Sequence, residues 1–226
     1  NYLMFVDSDD ILPDNTIETL MNLAEEKNAD IVEGQYKSFI SDDEIDIHKH
    51  ERFQSSNLTK LNGYAWGKII SSEKLLNLAF PKGYEYEYTI ISTLLIPSCK
   101  KLYVTNDVTY YYRKNEQGIT SALYNRKSSI DTLYITLYCF AEALNRNYKI
   151  SVEDYLKQVR LNWIRTKNMP HDVRKAIFIV EVDFFEKNYK IDKTIKKSNL
   201  LKLQKTLQKH SYLGFKWIMN YWEILG

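Results

Sequence analysis

Residues 2–6 form a mostly apolar run that ends abruptly at Asp7, a pattern that predicts a strand buried on both faces whose carboxyl end opens into a site. Pro13 then breaks the chain, and Asn15-x-x-Glu18 reads as a capping box. Ile17, Leu20, Met21 and Ala24 fall on one face of a helix of about three turns. Residues 29–40 predict a second strand, and residues 41–56 are a polar excursion without a period. From Asn57 the pattern predicts a helix through Trp66, a short strand at 68–70, and a helix capped by Ser72 over Leu75, Leu76 and Leu78. Pro81 and Gly83 make a turn, after which Glu87 opens a helix carrying Ile90, Ile91, Leu94 and Leu95. Residues 102–104 and 108–113 read as two strands around an Asn106-Asp107 turn. Past Leu123 the period becomes helical, over about 128–147, 151–168, 172–188 and 198–222. The expected organisation is an α/β part, residues 1–123, followed by an all-helical extension, residues 124–226.

An apolar fraction of 44% in 226 residues supports a real core. No uninterrupted apolar stretch has membrane-spanning length and no basic-then-apolar leader is present, so the expected location is cytoplasmic. Cys99 and Cys139 stand in no metal-like spacing and read as buried thiols. His48 and His50 lack a third ligand at a zinc-like spacing and read as part of a solvated loop. The net charge of +2 conceals an asymmetry: residues 1–51 balance at −11. The acidic front third, and the lack of an Arg-rich cluster or known module, argue against nucleic acid as a partner. Residues 196–226 hold six Lys against one Glu, interleaved with aromatics in YLGFKWIMNYW. Two readings stand: peripheral contact with the inner face of a membrane, or a helix docking Leu and Trp into its own domain.

Asp7, Asp9 and Asp10 crowd the end of the first strand. Carboxylates this close repel one another, so either a cation sits among them or one is a protonated catalytic acid. An EF-hand calcium loop fails, because Ile11 and Leu12 stand where a ligand and Gly are needed. A haloacid-dehalogenase-type phosphatase also follows an apolar strand with Asp-x-Asp, and would use Asp7 as nucleophile and Asp9 as general acid. A nucleotide-sugar transferase would use the same turn to hold Mn²⁺ or Mg²⁺ against the donor diphosphate. The motif alone leaves the last two open.

FVDSDDILPDNTIETL, GYAWGKIISSEKL, FPKGYEYEYT and YYYRKNEQGITS resemble, in order and spacing, motifs of bacterial family 2 glycosyltransferases of the GT-A fold, over about residues 2–121. A phosphatase would instead want a later Lys and a Gly-Asp-x-x-x-Asp turn, which the sequence lacks. The resemblance implies a partial GT-A-like (Rossmann-like) sheet and a metal-dependent, inverting transfer of a sugar. The donor would be a nucleotide sugar, and the acceptor a glycan or lipid-linked hydroxyl of polysaccharide or teichoic-acid type. It places Asp7 and Asp9 at the metal (Mn²⁺ or Mg²⁺), and these with Asp10 and Arg113 at the donor. Trp66 and Lys68 fall on the acceptor side.

Two departures shape the expectation. In the family, β/α units that bind the nucleotide precede the strand that ends in Asp-x-Asp. The chain therefore reads as the C-terminal portion of a longer transferase, with a strand edge left for a partner or a second copy to cover. The other departure is at the acceptor-activating base, where the register puts Glu87 at the family's Glu and Tyr88 at its Asp. A phenol is a poor base at neutral pH. Either Glu87 or Glu85 substitutes, or the chain is a degenerate transferase that serves as a non-catalytic subunit.

Overall fold

The computed structural model describes residues 1–45, 61–115 and 127–224. These divide into two compact units, residues 1–82 with 87–118 and residues 83–86 with 119–226. His48, His50 and the first residues of the helix expected from Asn57 lie outside the described residues.

The first unit is a four-stranded mixed sheet with a helix on it. Its strands are β1 (Tyr2–Met4), β2 (Ile31–Phe39), β3 (Lys68–Ser71) and β4 (Leu102–Arg113), in the order β1-β3-β2-β4. β3 runs antiparallel to both of its neighbours and β2 runs parallel to β4, so β1, β2 and β4 present their carboxyl ends on the same side. β1 does not have the two covered faces that its apolar run suggests. It is an edge strand paired only with β3, and Leu3 is 50% exposed. A short apolar run carries no information on how many neighbours a strand has.

The helix after the acidic turn, α1 (Thr16–Lys27), packs Leu20 and Ala24 against Ala29, Val32 and Ile69. Ile17, expected on that face, is exposed, and Thr16 takes the buried position, its hydroxyl donating to the Thr109 carbonyl. The capping box does not form: Asn15 has φ −96° and ψ 8° and gives no side-chain cap. The Thr16 N–H instead closes a turn on the Pro13 carbonyl. Residues 61–67 are not helical; they form a turn leading to an isolated bridge between Trp66 and Phe5.

The two strands expected around Asn106-Asp107 are one strand, β4, parallel to β2 throughout. Its register slips where Glu33 pairs with Val104 but Gln35 pairs with Val108. Gly34 stands at that bulge because any Cβ there would meet the Thr109 hydroxyl at 2.1 Å. Between β3 and β4 come the short helix α2 (Ser72–Leu75), a π-helical turn (Ile91–Leu95) and α3 (Ile96–Ser98). Pro97 has no N–H to close on the Thr93 carbonyl, which accounts for the widened turn.

The second unit contains α4 (Asp131–Asn145), α5 (Val152–Arg165), α6 (His171–Asn188), α7 (Ser198–Gln208) and α8 (Tyr212–Ile224). The long last helix of the sequence reading is broken at His210, which adopts φ 50°. The core holds Phe140, Tyr155, Trp163, Phe178 and Phe215, with Leu200, Leu203 and Leu207 from α7. Both cysteines are free thiols, Cys139 buried and Cys99 partly so.

Within this unit a polar network lies in the dry interior. The Asn162 amide oxygen accepts from the hydroxyls of Thr132 and Thr136, and its amide nitrogen donates to Glu181 at 2.9 Å. Burial pushes the Glu181 carboxyl up to about 8, opposed only in part by the Asn162 bond. The folded state thus keeps a proton that the unfolded chain releases near an ordinary Glu pKa. The resulting stability is complete below that ordinary value and is lost as pH rises toward 8. We expect urea unfolding to show a loss of about 2–3 kcal/mol between about pH 6 and pH 8. Glu181→Gln should flatten that dependence, and an unchanged slope in the variant would refute the assignment.

Candidate active site

The segment after β1 crosses the carboxyl ends of the sheet and fastens to β4 at the opposite edge. The Asp10 N–H closes a turn on the Asp7 carbonyl at 3.1 Å, and Ile11 exchanges both backbone hydrogen bonds with Tyr111. The side chains of β4 complete the clasp. The Tyr110 hydroxyl accepts from the Asp7 N–H at 3.1 Å. The Arg113 N–H donates to the Asp10 carboxylate at 2.7 Å, and its guanidinium donates to the Asp9 carbonyl at 2.7 Å and to Asp42 at 2.6 Å while lying over the Phe39 ring. Arg113, expected at the donor, gives its Nε–H to the acidic turn and an Nη2–H to Asp42.

The carboxylates gathered here strain one another. Burial raises the pKa of Asp7 first, and then the negative charges of Asp10, Asp9 and Glu87 raise it further. Burial also raises Asp10, while the Tyr110 hydroxyl and the Arg113 N–H work against that rise. Tyr110 is driven well above the ordinary phenol range, by burial first and then by its bond to Asp10. The tertiary structure therefore brings Glu87 into the field of the acidic turn across eighty intervening residues. Glu85 is not part of this group. It belongs to the helical unit, where its N–H donates to Asp131 at 3.1 Å.

Among the described residues, no three His, Cys, Asp or Glu side chains stand close enough to form a self-sufficient metal site. A cation shared with a diphosphate does not need one, because Mg²⁺ and Mn²⁺ commonly take one or two carboxylates with phosphate oxygens and water. Asp7 and Asp9 could take that role: burial raises the Asp7 pKa first, and the neighbouring negative charges that add to the rise are what a cation would relieve.

Beside the turn stands an aromatic stack. Trp66 lies parallel to Tyr64 at 4.7 Å and to Tyr110 at 4.7 Å, with Tyr112 at 5.3 Å and the edge of Tyr36 at 5.1 Å. Trp66, expected on the acceptor side, is itself buried, and the rings that meet solvent are Tyr64 and Tyr36. Tyr88 approaches Tyr64 at 6.5 Å and so belongs with the aromatic stack.

Lys68 corrects a second acceptor-side expectation, since it is 0% exposed. Its ammonium pairs with Glu33 at 3.3 Å and donates to the carbonyls of Asn62 and Tyr64 and to the Asn62 side chain. Glu33 in turn accepts from the Asn62 N–H and side-chain amide. Lys68 therefore holds the turn that presents Tyr64, from beneath. The sequence reading missed Tyr110, Tyr112 and Tyr64. The first two were visible as an i, i+2 pair on one face of a strand, but nothing local showed that this face meets Trp66.

A parallel-ended α/β sheet with an acidic turn across its carboxyl ends and an aromatic wall beside it defines a GT-A-like fold. Residues 1–82 match the model of the family described as Glycosyl transferase family 2. Glycosyltransferase GlyG of Streptococcus pneumoniae serotype 4 is 30% identical over 139 residues, which are 52% of this chain and 45% of that protein. The chain thus spans about half the length of that curated relative. Among solved structures, residues 1–349 of S. aureus TarS in complex with UDP-GlcNAc superpose with a TM-score of 0.71 at 13% identity, covering 98% of this chain and 67% of that one. Another S. aureus TarS structure gives 0.59 at 12% identity, covering 97% and 40%. The likeness to TarS establishes the fold. The family match selects the transferase over the phosphatase as the owner of the Asp-x-Asp turn.

Proposed function

We propose that this chain contributes the metal-side and acceptor-side residues of an inverting glycosyltransferase that moves a sugar from a nucleotide-sugar donor to a hydroxyl of a surface glycan. The observation that supports the reading is that the negative charge of Glu87 acts on Asp7, raising its pKa after burial, Asp10 and Asp9 have done so. Glu87 takes the proton of the acceptor hydroxyl, whose oxygen attacks the anomeric carbon from the face opposite the leaving group. The bond to the nucleoside diphosphate breaks, and the diphosphate leaves with the electron pair. Bound Mn²⁺ or Mg²⁺ would supply charge neutralisation to the leaving diphosphate. Asp7 and Asp9 would hold that cation, Arg113 keeps their turn in shape, and the exposed Tyr64 ring offers a flat face for a sugar.

The UDP-GlcNAc complex of TarS makes that donor the first to try. Calorimetry on the protein as encoded should show binding of UDP-GlcNAc or another nucleotide sugar that requires Mn²⁺. Asp9→Ala should weaken it by about tenfold or more, as loss of a first ligand to a diphosphate-bridging cation predicts. Binding of equal strength without metal would remove the metal from the reading.

A further inference from the structure

α8 has two apolar faces. One, with Phe215, Ile218 and Met219, is buried in the helical core, as any surface helix requires. The other faces solvent with Leu213 at 82% exposure, Trp217 at 62% and Tyr221 at 41%. These three are spaced i, i+4, i+8 and form a single stripe, with the Trp217 and Tyr221 rings stacked at 5.6 Å. Lys216 and Asn220 fall on the same outward arc and are exposed. α7 contributes the adjoining charge. Its core side is Leu200, Leu203 and Leu207, and its outward positions Lys202 and Lys205 are exposed, as is Lys209 just beyond its end. The Lys202 ammonium lies 5.9 Å from the Tyr221 ring, so the lysine face of α7 and the stripe of α8 are one continuous surface. Residues 190–226 carry eight Lys against Asp192 and Glu223.

We propose that this surface, Leu213, Trp217 and Tyr221 flanked by Lys202, Lys205, Lys209 and Lys216, docks onto an anionic lipid bilayer. Charge complementarity decides the occupant. Among the described side chains on the outward arcs of these two helices the charged ones are all lysines, so a second copy meeting the same face would set cation against cation. Anionic headgroups, in contrast, attract each lysine while Trp and Tyr settle at the headgroup level. Among the described residues no helix is long and apolar enough to cross a membrane, so the contact is one of lying on the surface. The inference is independent of the sugar-transfer reading, because it uses none of the residues of the acidic turn.

The test is flotation of the full chain with phosphatidylcholine vesicles and with vesicles containing phosphatidylglycerol, at low and at high salt. The chain should float with the anionic vesicles, lose binding in high salt, and stay behind with the neutral ones. Leu213→Ser with Trp217→Ser should abolish flotation, and Lys202→Gln, Lys205→Gln and Lys209→Gln together should weaken it by about fivefold per lysine. All five positions are exposed, so unchanged circular-dichroism melting would show that the helical unit stays folded. Failure of the native chain to float with anionic vesicles would overturn the proposal, as would equal flotation of either variant. Self-association of the native chain that vanishes in the Trp217→Ser variant would assign the face to a second copy and equally overturn it.

Discussion

Replacing Glu87 by Gln in the protein as encoded should lower the rate of sugar transfer by about two orders of magnitude or more, the usual worth of a general base. Donor binding measured by calorimetry should remain within about a factor of three, because the amide keeps the shape of the side chain and removes a negative charge from beside Asp7. The neighbouring residue sharpens the test. Tyr88 stands where the family resemblance of the sequence implies Asp, and its ring approaches that of Tyr64. Tyr88→Asp should raise the rate if the chain is a slow enzyme with a displaced base. Should native protein and Glu87→Gln be equally inactive while Tyr88→Asp alone gains activity, Glu87 is not the base and the chain is a degenerate transferase.

Lys68→Met should cost about 3–5 kcal/mol in urea unfolding of the sheet unit, the price of leaving one member of a buried ion pair alone. Burial pulls the Lys68 pKa down and pushes that of Glu33 up, each opposed by the charge of the other. Neither group is comfortable as an ion, and each depends on its partner to remain one. In the variant, the orphaned Glu33 would hold a proton in the folded state well above its ordinary range. Stability would then fall as pH rises through that raised value, over a wider pH window than in the native protein, where the Lys68 charge offsets part of the rise. Adding Glu33→Gln should recover part of the loss. A cost under about 1 kcal/mol for Lys68→Met would mean that the pair is less buried than its surroundings imply. The same variant loosens the Asn62–Tyr64 turn, so in an active preparation KM for the acceptor should rise more than kcat falls.

Much of this architecture is written locally. The apolar run closing on Asp7, the second strand, the short strand at Lys68 and the helices of the second unit all follow from period and punctuation within a few residues. So does the acidic character of the turn, because Asp-Ser-Asp-Asp concentrates charge whatever surrounds it. The motifs read in series also pointed to the family whose model matches residues 1–82.

What local pattern does not contain is which strand sits beside which, and there the reading failed or fell silent. Among the described residues β1 pairs with β3 alone, in line with the open edge expected of it, but Leu3 is half exposed, so the apolar run does not have two covered faces. The two strands expected around Asn106 are one because β2 continues alongside through a bulge, held open at Gly34 by Thr109. Lys68 looked like an acceptor-side cation but is buried, because Glu33, far away in the chain, supplies its counter-charge. Glu87 belongs to the same unit as the acidic turn, whereas residues 83–86, Glu85 among them, belong to the helical unit. On α8, Trp217 could belong to core or surface by sequence. Only the packing of Phe215, Ile218 and Met219 against the other helices left Leu213, Trp217 and Tyr221 outside. Side-chain period is a property of the backbone and survives in isolation, whereas pairing, burial and charge compensation are properties of neighbours that only the folded chain supplies.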